Sequence, residues 1–176
     1  MSVDGDDPIE IVPYDPAWPA AAVAATEEVV TALAPWVVDV LHIGSTAVPG
    51  LAAKPVIDLM AGVRSLDDSP AIVVAVEGLG YEYVPEFEIE LPFRRYFRRS
   101  VNGVRTHQIH VVERTDAAWW DRHVAFRDWL RTHDDDRDAY ADLKRRLAVE
   151  HRHDRAAYTD AKSDFIHAVE ARATPP

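Results

Sequence analysis

His42-Ile43-Gly44-Ser45-Thr46-Ala47-Val48-Pro49-Gly50-Leu51-Ala52-Ala53-Lys54-Pro55-Val56-Ile57-Asp58-Leu59-Met60 decides how this chain folds and where its chemistry sits. An apolar run, Trp36 to Ile43, ends in a loop rich in Gly, Ser, Thr and Pro, and a second apolar run, Pro55 to Ala61, follows with one carboxylate in its middle. Short apolar runs bounded by turn residues read as strands buried on both faces. An acidic side chain inside such a strand has to be satisfied by a partner or by a ligand. The backbone N–H groups and hydroxyls of Gly44, Ser45 and Thr46 are a candidate cradle for a phosphate or another anion. Lys54 is a compact phosphate partner directly after the loop, and Asp58 is placed to meet a metal ion carried on that phosphate. The plainer alternative is a loop whose Asp58 is satisfied by backbone donors.

On the N-terminal side, Ile9 to Val12 reads as a short extended piece. Asp15-Pro16-Ala17-Trp18-Pro19 is turn chemistry leading into a helix from Pro19 to Ala34, which Pro35 ends. On the C-terminal side, Ser69-Pro70 starts a short helix through Glu77, closed by Gly78 and Gly80, and Tyr81 to Val84 is a third strand. After an acidic loop, Glu86 to Pro92, the runs Phe93 to Arg99 and Val104 to Glu113 flank Asn102-Gly103, a strong hairpin signal. From Asp116 onward the apolar spacing is helical, and three helices are expected, broken near Asp134-Asp135-Asp136 and His153-Asp154. The predicted fold is α/β (α+β): a mixed sheet flanked by helices with a helical C-terminal third. A loose tail over 1–8 and a single domain over 9–173 complete the layout.

With 30 acidic against 19 basic residues the formal charge is −11, so neither nucleic acid nor an anionic membrane is an expected partner, and any anion site must be local. The chain has no cysteine, which removes disulfides, thiolate metal sites and a Cys nucleophile together. Charged residues at 28% and hydrophobic ones at 48% fit a folded globular chain. The start of the sequence is polar and no later run has the length of a membrane span, so a cytoplasmic protein is expected.

Other side chains can join the site. His107 and His110, three apart on one strand, point to opposite faces, His110 with Gln108 and Val112, His107 with Ile109 and Val111. Either can act as proton donor, base or ligand contact together with His42, and His110 is preferred as the catalytic histidine. In the arginine-rich strand, Arg95 and Arg99 alternate with Arg94 and Arg98. One pair faces the site and the other meets solvent, and Arg95 with Arg99 is taken as the substrate-binding pair. Tyr158 and Lys162, read as i, i+4 neighbours on the last helix, are candidate contacts closing over the cleft. The runs Asp134 to Asp136 and Lys144 to Arg146 read as solvated surface.

The segment His42 to Leu51, with Lys54-Pro55 and Ile57-Asp58, resembles the signature of the GrpB family of bacterial proteins. Further similarity lies in the basic-aromatic hairpin, in His107-Gln108-Ile109-His110-Val111, and in Tyr158-Thr159-Asp160-Ala161-Lys162-Ser163-Asp164-Phe165-Ile166, so it spans roughly Ile9 to Ile166. The resemblance implies a nucleotidyltransferase-like fold of the polymerase-β type. There a strand ending in Gly-Ser leads to a helix, and the next strand bears acidic metal ligands. It also implies a link to nucleotide or cofactor metabolism, because GrpB domains occur fused to dephospho-coenzyme A kinase. Gly44, Ser45 and Thr46 match the triphosphate-binding turn and Asp58 the first carboxylate. The position two residues on is Met60, whose thioether is a poor ligand for Mg²⁺, so the usual acidic pair is missing. Three readings stay open: a nucleotidyltransferase binding a nucleoside triphosphate with Mg²⁺, a divergent ligand-binding module, and an enzyme of another class acting on a small carboxylate or amine through Asp58 and His110. The oligomeric state is left open.

Overall fold

A computed structural model describes residues 8–173 of the chain. The expected tail over 1–8 falls, Pro8 apart, outside the described residues. In chain order the elements are α1 (Trp18–Ala32), β1 (Val37–Ile43), β2 (Ile57–Val63), α2 (Ser69–Glu77), β3 (Glu82–Tyr83), β4 (Arg94–Val101), β5 (Val104–Glu113), α3 (Ala117–Thr132), α4 (Asp134–Glu150), α5 (Arg155–Asp160) and α6 (Ser163–Ala173). The strands form one sheet in the order β1-β2-β5-β4-β3. Only β2 and β5 run parallel; the other neighbours are antiparallel. This is the mixed sheet flanked by helices, with a helical C-terminal third, that the sequence pattern predicts.

Local chemistry explains the turns that set this order. Asn102 at φ 52° and Gly103 at φ 81° form the two-residue link between β4 and β5. Both central residues in the left-handed region match the twist of an antiparallel pair, which is why Asn-Gly works there. Asp15 Oδ1 accepts from the Ala17 N–H at 2.8 Å, and the proline after Trp18 opens α1 without losing a needed donor. Extended chain from Ile9 docks as expected: Val12 bridges to Ala53, and the Ile9 N–H donates to the Arg152 carbonyl at 2.9 Å.

Strand alternation divides the molecule. Ile57, Leu59, Ala61 and Val63 of β2, with Phe97, Ile109 and Val111, face α1 and α2 and form the main core. On the opposite face, Met60 and Val112 pack with Ile43 under Trp120 of α3. Gly62 permits this, since a Cβ there would stand 2.9 Å from the Trp120 ring. Two expectations are corrected. β1 is an edge strand rather than a strand buried on both faces, with Val38 54% exposed, because it has β2 as its one strand neighbour. The C-terminal third has four helices, because the chain breaks again at Ala161-Lys162 between α5 and α6.

Candidate functional site

The C-terminal helices cover only part of the second sheet face. Between them and the sheet lies a cavity of about 510 Å³. At its base is the turn from β1 to β2. Gly44 has φ 72° and ψ −172°, a conformation open essentially to glycine alone. A Cβ on Gly44 would stand 2.5 Å from Asp58 Oδ2, so the missing side chain is also what lets the carboxylate lie against the turn. The two residues meet because Ile43 pairs with Asp58 across the antiparallel strands.

The turn is held from several sides. Thr46 Oγ1 donates to the Val56 carbonyl at 3.0 Å, so His42 Nε2, 2.9 Å from that oxygen, must be the donor to it. His42 is thereby a neutral Nε2–H tautomer, and burial with Arg131 and Arg127 lowers its pKa to about 4. Arg127 Nη1 donates to the His42 carbonyl at 3.0 Å and Arg131 Nε to the Ala47 carbonyl at 2.9 Å. Ser45 hydrogen-bonds the Tyr140 phenol of α4. The Thr46 hydroxyl is therefore committed to the fold, while Gly44 and Ser45 remain on the cavity wall.

Asp58 is the chemical centre of the cavity. Burial raises its pKa to about 6, against the pull of Lys54, Lys162 and Arg105. Lys162 is lowered to about 8 by burial and Lys54, with Asp58 opposing. Both ammonium groups lie over the Tyr158 ring, Lys162 Nζ at 4.3 Å and Lys54 Nζ at 5.2 Å from its centroid. A third ammonium, Lys144, enters from α4. It is 2% exposed, sits 4.6 Å from the Tyr140 ring centroid, and its Nζ has no hydrogen-bond partner. Burial and the charges of Lys162 and Lys54 hold it well below an ordinary lysine pKa.

Farther along the sheet the wall carries Arg94 and His110. Arg94 Nη1 donates to His110 Nδ1 at 3.0 Å, which leaves the imidazole proton on Nε2. Burial and Arg94 keep His110 neutral, well below its ordinary pKa. Its one basic nitrogen is occupied, so in this arrangement His110 positions the guanidinium and has no lone pair free to take a proton.

Of the residues singled out in the sequence, Gly44, Ser45, Thr46, Lys54, Asp58, His110, Tyr158 and Lys162 line this cavity. Arg95, Arg99 and His107 do not line it. They alternate onto the α1/α2 face, where Arg95 pairs with Glu88 at 3.1 Å and Arg99 with Glu28 at 3.0 Å. Arg99 Nη2 also donates to His107 Nε2 at 3.2 Å. The cavity-facing arginine of β4 is Arg94, and Lys162 lies in the α5–α6 turn rather than one turn beyond Tyr158 on a single helix. Lys144 is cavity wall rather than surface; its place on the buried stripe Tyr140, Ala141, Lys144, Leu147, Ala148 was the available signal.

A divalent ion does not suit this donor set. Among the described residues no group of three or more His, Asp or Glu side chains could hold a metal. The residues sharing the face of Asp58 are Met60, in an apolar cluster, and across the strand Gln108 and His110. Three lysines and Arg105 act on the cavity electrostatically.

The family model described as GrpB protein matches residues 8–172. The chain belongs to the GrpB family. Its relatives include the UPF0157 protein PA4798 of Pseudomonas aeruginosa, 41% identical over 171 residues that span 96% of this chain and 69% of that protein. The crystal structure of conserved protein GrpB from Enterococcus faecalis superposes with a TM-score of 0.85 at 34% identity, covering 93% of this chain and 96% of that one. A dephospho-CoA kinase of Mycolicibacterium paratuberculosis is 28% identical over 190 residues, spanning 94% of this chain and 46% of that protein. This GrpB chain has no described helix long and apolar enough to cross a membrane.

Proposed function

We propose that this GrpB protein binds a small phosphorylated molecule, nucleotides included, with a phosphate against the Gly44–Ser45 turn and the ammonium groups of Lys54, Lys144 and Lys162. The observation that carries the reading is Lys144: a buried amino group without a hydrogen-bond partner, facing a cavity with two further lysines. Leaving such a group unpaired costs free energy, and an anion in the cavity recovers it. Six cationic side chains line the cavity against three carboxylates, in a chain whose net charge is −11. The volume suits a metabolite of nucleotide size. The likeness to a dephospho-CoA kinase agrees with a phosphorylated ligand.

On this reading lysines take the part that divalent ions play in a nucleotidyltransferase, so binding is expected without Mg²⁺, and among the described residues no acidic cluster supports a two-ion transfer step. A second reading, proton-transfer chemistry on a small carboxylate or amine, draws on Asp58 alone, whose carboxyl titrates near pH 6 inside the cavity. The test is thermal unfolding with inorganic phosphate and with nucleoside triphosphates, each with Mg²⁺ and with EDTA. A midpoint rise that persists in EDTA and disappears in Lys144→Met supports the proposal. No rise with any of these ligands, or a rise that needs Mg²⁺, refutes it.

A further inference from the structure

The cavity contains a second unsatisfied cationic group on separate elements from the first. Arg94 is 8% exposed, yet its Nε has no hydrogen-bond partner, and its guanidinium has one hydrogen bond, to His110. The rest of its surroundings are aromatic: the Tyr96 ring at 5.1 Å and the Trp119 ring at 5.7 Å. Glu88, the carboxylate acting on it electrostatically, is already bound to Arg95 and the Tyr83 hydroxyl. A buried guanidinium is ordinarily matched by a carboxylate or phosphate that takes two of its parallel N–H groups. Here the imidazole fixes one edge of the fork and rings support its plane, while no carboxylate of the described residues accepts from it.

This group is not part of the lysine cluster. The charges that act on Lys144 are Lys162, Lys54 and Arg145, whereas the carboxylate acting on Arg94 is Glu88. Asp58 marks the lysine end and His110 the arginine end. They stand one strand apart and two residues along, since Asp58 pairs with Gln108. Strand geometry puts roughly 8 Å between the two positions. Phe87, Leu91 and Tyr96 line the cavity beside Arg94 as apolar wall, and Glu90 of the same segment also lines it.

We propose that the ligand carries a carboxylate that docks on Arg94 while its phosphate docks at the lysines, so the cavity selects small molecules acidic at both ends. The inference rests on the phosphate-binding reading above and adds the substrate class to it. Gln108, between the two ends on the same face, supplies a neutral amide for the polar body of such a molecule.

Saturated ω-phosphonoalkanoates of increasing chain length, compared with alkylphosphonates of matched length, test this by calorimetric titration of the 176-residue chain. The bifunctional probe is expected to bind at least ten-fold more tightly at the best length, because a bidentate charge-assisted pair is added. Arg94→Gln removes that ten-fold advantage and leaves the alkylphosphonate affinity unchanged. Arg94→Lys, which keeps the charge and loses the fork, restores only part of it. Lys144→Met weakens both probes. Equal affinity of the two probes for the unmodified protein overturns the inference, even if Arg94→Gln fails to fold, and so does an equal loss for both probes in Arg94→Gln. If the alkylphosphonate binds and loses affinity in Lys144→Met but the carboxylate adds nothing, the phosphate reading stands and this inference falls. If neither probe nor phosphate binds, both fall.

Discussion

Replacing Asp58 by Asn should make the ligand-free protein more stable at neutral pH. Burial raises the Asp58 carboxyl from 3.8 to about 6 even though Lys54, Lys162 and Arg105 oppose the change. A carboxyl whose folded pKa lies above its unfolded value contributes stability that is complete below about pH 4. That contribution is lost as pH climbs through about 6, because the unfolded chain ionises more readily. A shift of about two units corresponds to about 3 kcal/mol, and discounting for solvent in the cavity leaves about 2 kcal/mol at pH 7.5. In a chain of this size that is a rise in unfolding midpoint of about 4–8 °C. Asn keeps the shape and omits the charge, so the rise should appear in calorimetric melts at pH 7.5 and shrink to nothing near pH 4. Phosphate affinity should increase in the same variant, since a negative charge leaves the lysine cluster, whereas a metal-bridged site would lose affinity. If Asp58→Asn lowers the midpoint at pH 7.5, Asp58 is a structural partner of Lys54 and Lys162, and the account of a carboxylate kept at a cost to stability is wrong.

Gly44→Ala should lose about 3 kcal/mol in urea unfolding, since the backbone strain adds to a Cβ 2.5 Å from Asp58 Oδ2. Gly103→Ala, also at positive φ but with nothing within 4 Å of its Cβ, should lose only about 1 kcal/mol; equal losses would mean that the Asp58 contact contributes nothing. Met60→Asp, which writes in the absent second carboxylate, should cost more than about 3 kcal/mol, because Met60 is wholly buried among Ile43, Val112 and Trp120. Rescue of that variant by Mg²⁺ would show that the donor set can after all hold the ion. Acid should destabilise the protein between about pH 6.5 and 4. Burial holds His42, His107 and His123 at about 4 and His110 well below its ordinary value, and groups with depressed folded pKa values lose their contribution as pH falls. The combined loss from four histidines exceeds the opposite gain from the single Asp58 in the same window, and a midpoint that is flat or rising from pH 6.5 to 4.5 would contradict it.

The parts of the fold visible in the sequence are those specified within a few residues. Asn102-Gly103 states its own turn, and Gly44 next to Ser45 states a turn that only glycine can enter. Asp58 stands out because its neighbours along β2 are apolar. What stayed hidden depends on pairing across the sheet. β4 alternates by two whichever way it faces, so the choice between Arg94 and Arg95 for the cavity is made only when Tyr96 comes to lie opposite His110. The apolar run of β1 looks like an interior strand, yet its position at the edge follows from the sheet order and not from its composition. Lys144 was obscured by Arg145 and Arg146, whose exposed side chains make the triplet look like a solvated face. The break after Asp160 separates Tyr158 from Lys162 but leaves the ammonium over the ring, a contact made across the turn and not along one helix face.

The Asp58 carboxylate and the lysines around the cavity belong to one electrostatic arrangement. A site for divalent ions needs a surplus of negative donors, and the positions that share the face of Asp58 offer a thioether, an amide and a neutral imidazole. Helix α4 and the α5–α6 turn bring the Lys144 and Lys162 amino groups to the cavity that Asp58 lines. Near 5 Å, an effective dielectric of about 20 makes each ammonium repel a divalent cation by on the order of several kcal/mol, and the same charges attract a phosphate. Restoring a metal site would therefore require removing lysines as well as adding carboxylates. A single Met60→Asp change leaves the cavity cationic and buries one more charge with no partner, which is why its expected effect is loss of stability and not gain of metal.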